Sequence, residues 1–95
     1  MYRIMLADDE GIVIDSLKFI IEKEFGDLCE IRYAKTGRSV IELAESFRPD
    51  IAVMDIQMPG INGIDAMKEI KKSNSSTVFI VMSAYDKFDY AQEAI

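Results

Sequence analysis

The sequence predicts an α/β fold built on a doubly wound parallel sheet. Strand-like and helix-like segments alternate four times along the chain, with short connections between them. Two of the strand-like segments, Ile51 to Met54 and Thr77 to Met82, are almost continuously apolar. Such runs are typical of strands that are covered on both faces, as in parallel sheets with right-handed helical crossovers.

The first strand–helix unit spans the first quarter of the chain. A strand is predicted over Tyr2 to Ala7, and it ends in the acidic run Asp8-Asp9-Glu10. A helix is predicted over Ile12 to Phe25, and Gly26 is expected to end it. Its three-and-four spacing predicts a buried stripe of Val13, Leu17, Ile20, Ile21 and Phe25.

The second unit is more polar in its strand. Leu28 to Ala34 contains Glu30 and Arg32, which predicts a strand at an edge of the sheet. Thr36 can cap the following helix, which is predicted over Gly37 to Phe47. The residues expected to be buried in this helix are Val40, Leu43, Ala44 and Phe47.

The third unit begins with the buried strand Ile51 to Met54, and Asp55 follows it directly. Pro59, Gly60 and Gly63 predict a loop, because proline cannot continue a strand ladder and glycine loosens the backbone. Asn62 can cap a third helix that runs to about Lys72. The residues expected to be buried in it are Ile64, Met67 and Ile70.

The fourth unit starts with Thr77 to Met82, expected to be buried on both faces, and continues into Ser83-Ala84. Asp86 is predicted to cap a fourth helix from Lys87 onward. The sequence stops at Ile95 without a helix-stop signal, and an uncovered apolar fourth strand would promote aggregation. We therefore expect residues 1–95 to be one domain, truncated before a fifth strand and a last helix.

Composition excludes several classes of protein. A net charge of −6 argues against direct binding of nucleic acid or an anionic membrane. No apolar run approaches the roughly 20 residues that cross a bilayer, and the start lacks the layout of a signal peptide. The single cysteine, Cys29, cannot form an internal disulfide, which favours a cytoplasmic location. The chain contains no histidine, the usual general base and zinc ligand.

Polar residues follow three of the predicted strands. Asp8 and Asp9 follow the first strand, Asp55 the third and Ser83 the fourth, so a parallel sheet would gather them at its carboxyl edge. Each pair of carboxylates about 4 Å apart would repel by several kcal/mol at a protein-surface dielectric. A hard divalent cation would offset this repulsion, and an oxygen-only ligand set favours Mg²⁺.

A carboxylate beside Mg²⁺ can also act as a nucleophile toward a phosphoryl group. The Ser83 hydroxyl and backbone N–H groups of the Asp55 loop could bind the remaining phosphoryl oxygens. Each feature taken alone also has a purely structural explanation. The acidic run could be a solvated turn or a helix cap, and Asp55 and Ser83 could be turn residues.

Together, these sequence features resemble the CheY-like receiver domain of two-component response regulators. The matching residues are Ala7-Asp8-Asp9-Glu10, then Asp55 with Met58, Pro59 and Gly63, then Ser83-Ala84. The resemblance covers all 95 residues, and it implies a flavodoxin-like sheet order of 2-1-3-4-(5). The run from Ser83 to Ile95 is also similar to receivers joined to AraC-type helix-turn-helix output domains.

The resemblance implies a role for each matching residue. Asp55 would accept the phosphoryl group, and Mg²⁺ would be held by Asp9, Asp55 and the backbone carbonyl of Gln57, with Asp8 acting through water. Ser83, followed by Ala84, would bind the phosphoryl group and carry the switch signal. The loop positions of the motif are Met58, Pro59 and Gly63.

The implied partners are a sensor histidine kinase as phosphodonor and a C-terminal DNA-binding domain that controls transcription. The resemblance leaves open whether the chain forms a homodimer. It implies that the chain is a switch that catalyses only its own phosphorylation and dephosphorylation. The lysine and the aromatic residue that the family places near a fifth strand have no counterpart here. Without them, the 95 residues would bind Mg²⁺ weakly, be phosphorylated poorly, or form part of a competent domain.

Two other functions remain open at this point. A phosphatase could use an aspartyl phosphate on a similar sheet, but it would need an acidic residue where Gln57 stands. Alternatively, the chain could be a binding module that keeps the receiver-like fold without being phosphorylated. Phosphorylation of Asp55 is the experiment that separates these interpretations.

Overall fold

Four parallel strands form one sheet in the order β2-β1-β3-β4, with helices on its faces. The computed structural model describes residues 1–58, 60 and 62–82. Within them the strands are β1 Tyr2–Ala7, β2 Cys29–Ala34, β3 Ile51–Asp55 and β4 Val78–Met82, and the α-helices are α1 Gly11–Phe25, α2 Gly37–Phe47 and α3 Gly63–Ser73. The doubly wound fold and the order 2-1-3-4 are confirmed. The helix predicted from Lys87, with Asp86 as its cap, lies outside the described residues.

The register of the sheet aligns the carboxyl ends of its strands. Ala7, the last residue of β1, pairs with Ala34 of β2 and with Met54 of β3. At the end of β3, Asp55 pairs with Met82 of β4. The residues that directly follow β1 and β2 therefore lie level with Asp55, along the edge that we call the carboxyl rim.

Helices cover both faces of the sheet, and the alternation of side chains along β1 sorts its residues between them. Met5 and Ala7 face α2 and α3, whereas Ile4 and Leu6 face α1. The α2–α3 side contains the buried residues Met5, Ala7, Ala34, Val40, Ala44, Phe47, Ala52, Met54, Met58, Ala66 and Ile70. The α1 side contains the smaller buried set Ile4, Leu6, Ile14 and Val53.

Helix α2 has the predicted bounds and the predicted cap. The Thr36 hydroxyl accepts a hydrogen bond from the Ser39 N–H at 3.1 Å, and the Ser39 side chain accepts one from the Thr36 N–H at 3.1 Å. This reciprocal pair satisfies backbone groups that a helix start leaves unpaired. Of the predicted buried residues, Val40, Ala44 and Phe47 are buried and Leu43 is half-buried.

Helix α1 presents a different face to the sheet from the one predicted. Ile14 is buried, and Leu17 and Ile21 are half-buried against the same cluster. Ile20 and Phe25 are 55% and 54% exposed, so their assignment to the buried stripe was wrong. Apolar residues occur on several sides of this helix, so periodicity did not identify one face.

The ends of α1 agree more closely with the prediction from the sequence. The helix begins at Gly11, one residue earlier than predicted, and it ends at Gly26, as expected. Gly26 has a φ of 53° and donates its N–H to the Glu22 carbonyl oxygen, a conformation that glycine adopts without a steric penalty. None of the helices in the described ranges has both the length and the apolar character of a membrane-spanning segment.

Strand β2 lies at one edge of the described sheet, as its polar composition predicted. It begins at Cys29 rather than Leu28, because Gly26–Leu28 form a short 3-10 helix after α1. Leu28 is 62% exposed and Cys29 is half-buried. Cys29 therefore acts as a partly buried apolar strand residue.

The third unit also follows the prediction with small shifts. Strand β3 includes Asp55, and α3 starts at Gly63 and ends at Ser73. The Asn62 side chain accepts the Asp65 N–H at 2.9 Å, which confirms the predicted cap. Of the three residues predicted to be buried, Ile70 is buried and Ile64 and Met67 are half-buried. Ala66 is also buried, which the sequence analysis did not predict.

Strand β4 is less buried than its composition predicted. It begins at Val78, and Val78 and Ile80 are 59% and 50% exposed. These two side chains share the α1 face of the sheet, but α1 packs mainly against β1 and β2. Within the described residues, the expectation of burial on both faces was therefore wrong for β4. Thr77, just before the strand, is buried and donates its hydroxyl to the Pro49 carbonyl at 2.8 Å.

Candidate functional site at the carboxyl rim

Three aspartates meet at the carboxyl rim of the sheet. One carboxylate oxygen from each of Asp8, Asp9 and Asp55 lies within 4.8 Å of the other two. Asp8 and Asp55 are 6% and 3% exposed, whereas Asp9 is exposed to solvent. The site therefore has two buried acidic groups and one that faces the solvent.

The β1 end fixes Asp8 through its backbone and its side chain. The Asp8 N–H donates to the Ala34 carbonyl at 3.3 Å, which extends the pairing of β1 with β2 by one residue. Its Oδ1 accepts the Glu10 N–H at 2.9 Å, as in an Asx-turn. This turn directs the chain from the strand into α1 and leaves Asp9 at the outside of the rim.

The β3 end fixes Asp55 in a similar way. Its Oδ1 accepts the Gln57 N–H at 3.3 Å, so the loop backbone orients the carboxylate. Both aspartates thus accept the N–H of the residue two positions later. Because β1 and β3 are neighbouring parallel strands, the two turns lie side by side.

Gly63 brings the start of α3 directly against the end of β3. Its N–H donates to the Ile56 carbonyl at 2.5 Å. A Cβ atom at this position would lie 2.7 Å from Ile56 Cα and still closer to the Asp55 carbonyl oxygen, so a side chain would displace backbone. Gly63 is therefore required for a close backbone approach, rather than for a loose loop. Gly60, with a φ of 97°, has the conformational role that was expected of both glycines.

Burial and neighbouring charge act on Asp8 in the same direction. Removal of its carboxyl from water raises the pKa of Asp8, and the nearby charges of Asp55 and Asp9 raise it further. The hydrogen bond from Glu10 opposes this and lowers the pKa. The net rise in pKa means that negative charge at this position is disfavoured unless a cation compensates it.

The ligand chemistry of the rim suits a hard cation. All three side chains offer carboxylate oxygens, and their close convergence allows one ion to contact more than one of them. Nitrogen and sulfur ligands, which zinc prefers, do not belong to this group. The residues therefore fit Mg²⁺ or a similar divalent ion.

The structure describes only part of the remaining predicted site. Gln57 is exposed at the rim, whereas Met58 is buried in the α2–α3 core and so has a packing role. Pro59, Ser83 and Ala84 lie outside the described residues. Their assigned roles stay predictions.

Sequence reasoning missed one basic side chain at the rim. Lys35 directly follows β2, and its Nζ approaches Gly11, the first residue of α1, which comes just after Asp9 and Glu10. Its position just after a strand was a signal, since residues after neighbouring parallel strands share one edge. The direction of a long flexible side chain is not encoded in that signal.

Comparison with protein families identifies the chain. The family model described as "Response regulator receiver domain" matches residues 4–95. The "Uncharacterized transcriptional regulatory protein YesN" of Bacillus subtilis is 38% identical over 95 residues, which are the whole chain and 26% of that protein. The "Transcriptional regulatory protein HptR" of Staphylococcus aureus is 32% identical, again over the whole chain and over 37% of its own length. The chain thus spans well under half the length of these relatives.

Solved structures agree with this result. The REC domain of AraT, a response regulator from Geobacillus stearothermophilus, is similar with a TM-score of 0.89 and 34% identity, over 98% of this chain and 72% of that one. A two-component transcriptional regulator AraC from Clostridium phytofermentans is similar with a TM-score of 0.85 and 30% identity, over 100% of this chain and 74% of that one. The chain therefore belongs to the response regulator receiver domains of two-component signalling systems.

Proposed function

We propose that the chain is a phosphoacceptor switch in which Asp55 takes a phosphoryl group from a phosphohistidine of a sensor histidine kinase. The observation that carries this proposal is the convergence of Asp8, Asp9 and Asp55 within 4.8 Å at one rim of the sheet. A buried carboxylate held in a fixed orientation beside two others suits a nucleophile that works next to a cation.

Mg²⁺ is the proposed cofactor. Asp9, Asp55 and the backbone carbonyl of Gln57 would contact the ion directly, and Asp8 would act through water. The oxygen-only ligand set supports this choice. When bound, Mg²⁺ would screen the carboxylates from an incoming phosphoryl group and stabilise the charge on its oxygens.

The protein residues would supply position and orientation for the transfer. The Gln57 N–H holds Oδ1 of Asp55, so the carboxylate plane is fixed before the donor arrives. An Asp55 oxygen would then form a bond to phosphorus while the phosphorus–nitrogen bond of the phosphohistidine breaks, and the imidazole would leave with the electron pair. The hydroxyl of Ser83 would hydrogen-bond a phosphoryl oxygen and, with Ala84, report the new state to the rest of the domain.

The proposed partners follow from the family and from the chain's charge. A sensor histidine kinase would supply the phosphoryl group, and a C-terminal DNA-binding domain would turn phosphorylation into transcriptional control. The regulatory names of YesN and HptR support such an output. With a net charge of −6, the receiver itself would not bind nucleic acid. These partners place the proposed switch in the cytoplasm, and phosphorylation could act through homodimerisation.

A phosphatase acting on a separate substrate is less well supported. Such a mechanism needs a general acid two residues beyond the nucleophile, and Gln57 at that position has an amide with no acidic proton. We therefore propose that the chain catalyses only the phosphorylation and dephosphorylation of its own Asp55.

Acetyl phosphate and Mg²⁺ test the proposed function without a kinase partner. We expect intact-mass spectrometry to show one added phosphoryl group, which hydroxylamine should remove because it is an acyl phosphate. Chelation of the metal by EDTA should prevent the modification, since the transfer depends on the cation. A hydroxylamine-resistant phosphate, or equal modification with EDTA present, would contradict the proposal.

A further inference from the structure

Lys35 is a basic residue beside the acidic site. Strand β2 ends at Ala34, whose carbonyl oxygen accepts the Asp8 N–H at 3.3 Å. The next residue, Lys35, therefore leaves the sheet at the carboxyl rim, on the strand adjacent to Asp8, and it is exposed. Its backbone position alone places a flexible cationic side chain within reach of the β1–α1 loop.

The Lys35 side chain extends toward that loop. Its Nζ lies 3.4 Å from the point where a Cβ atom on Gly11 would be. Gly11 is the first residue of α1, and Asp9 and Glu10 come just before it. The absence of a side chain at Gly11 thus leaves room for the ammonium group beside the start of α1, directly after the acidic segment.

The charge of Lys35 is not neutralised by a close partner in the described ranges. The ion pairs there join Arg32 to Glu30, Arg38 to Glu42 and Lys72 to Glu69. Lys35 has no such pair with a described residue, so its positive charge acts on the rim through space. The charge is exposed to solvent, and its influence should therefore depend on ionic strength.

We propose that Lys35 tunes the affinity of the rim for its divalent cation, by repelling the ion and by offsetting part of the carboxylate charge that attracts it. This inference rests on the proposed function, because it assumes that Asp8, Asp9 and Asp55 hold the metal. A given fixed charge interacts twice as strongly with a divalent ion as with a monovalent ion at the same distance. One ammonium group nearby therefore has a measurable effect on binding of a divalent cation.

The replacement Lys35→Gln should tighten metal binding. It removes the positive charge and keeps a long polar side chain, and we expect the dissociation constant for Mn²⁺ to fall about threefold at low salt. Lys35→Glu should tighten binding further, and Lys35→Arg, which keeps the charge, should leave the affinity unchanged. The electron paramagnetic resonance signal of free Mn²⁺ measures bound metal directly, and displacement by Mg²⁺ extends the result to that ion.

Lys23→Gln is the matched control. Lys23 lies in the last turn of α1, at the opposite end of the helix from Gly11, and its replacement changes the net charge by the same amount. If the effect requires a positive charge close to the carboxyl rim, Lys23→Gln should bind Mn²⁺ like the wild type. The difference between Lys35→Gln and wild type should also shrink in about 0.5 M salt, where screening is strong.

The outcomes separate this inference from the proposed function. Metal binding of equal strength in the wild type, Lys35→Gln and Lys23→Gln would overturn the role of Lys35 alone. Equal tightening by both Gln variants would also overturn it, because only net charge would then matter. Absence of Mn²⁺ binding by the wild-type chain would overturn the proposed metal site and this inference with it. Circular dichroism of each variant checks that the fold is retained.

Discussion

Asp55→Asn should abolish formation of the acyl phosphate. An amide oxygen is too weak a nucleophile to replace the carboxylate, so we expect the rate of modification by acetyl phosphate to fall by at least about 100-fold. The substitution preserves the shape of the side chain and its ability to accept the Gln57 N–H. Loss of modification would therefore report the missing nucleophile rather than a rearranged loop.

Asp27→Asn is the matched control for this variant. Asp27 lies in the 3-10 helix after α1, at the opposite edge of the sheet from the carboxyl rim, and it is exposed. The substitution removes one carboxylate without touching the site, so phosphorylation should proceed as in the wild type. Intact-mass spectra recorded during incubation with acetyl phosphate and Mg²⁺ measure the phosphorylated fraction of the wild type, Asp55→Asn and Asp27→Asn. An undiminished, hydroxylamine-sensitive phosphate on Asp55→Asn would place the acceptor elsewhere.

Gly63→Ala should destabilise the fold strongly. The added methyl group would lie 2.7 Å from Ile56 Cα and would also meet the Asp55 carbonyl oxygen, so it contacts backbone that cannot rotate away. Separating β3 from α3 should cost about 2–3 kcal/mol of unfolding free energy. For a domain of this size, that corresponds to a fall of roughly 10 °C or more in the melting temperature. Phosphorylation should slow as well, because the clash displaces Asp55.

Gly11→Ala provides the comparison. Gly11 and Gly63 are both the first residue of a helix, but a Cβ at Gly11 would meet only the movable end of Lys35, at 3.4 Å. We expect its unfolding free energy to stay within about 0.5 kcal/mol of the wild type. Urea denaturation followed by circular dichroism measures both variants. Equal stability of Gly63→Ala and Gly11→Ala would show that the approach of α3 to Asp55 is not tightly packed.

The acidic part of the site could be inferred from the sequence because the rule involved is topological. Parallel strands place their carboxyl ends at one edge, so the backbone alone brings Asp8, Asp9 and Asp55 to the same rim, where their carboxylates meet. The bounds of β1 and the caps Thr36 and Asn62 were also predictable, since each depends on local sequence.

Features that depend on packing between distant segments were not predictable in the same way. The predicted buried face of α1 was wrong at Ile20. Apolar residues occur on several sides of this helix, and only the position of the sheet decides which of them are buried. The exposure of Ile80 depends on how far α1 extends across the sheet. The close approach at Gly63 and the direction of Lys35 depend on tertiary contacts in the same way.

Localising a paramagnetic ion tests the central claim most directly. Mn²⁺ added in substoichiometric amounts broadens the nuclear magnetic resonance signals of backbone amides near its binding site. If the rim holds the cation, the amides of Asp8, Asp9 and Gln57 should broaden first, and added Mg²⁺ should reverse the effect. Residues at the opposite edge, such as Asp27 and Asn74, should stay sharp. Broadening centred on that edge, or spread evenly over the acidic surface, would contradict a metal site at Asp8, Asp9 and Asp55.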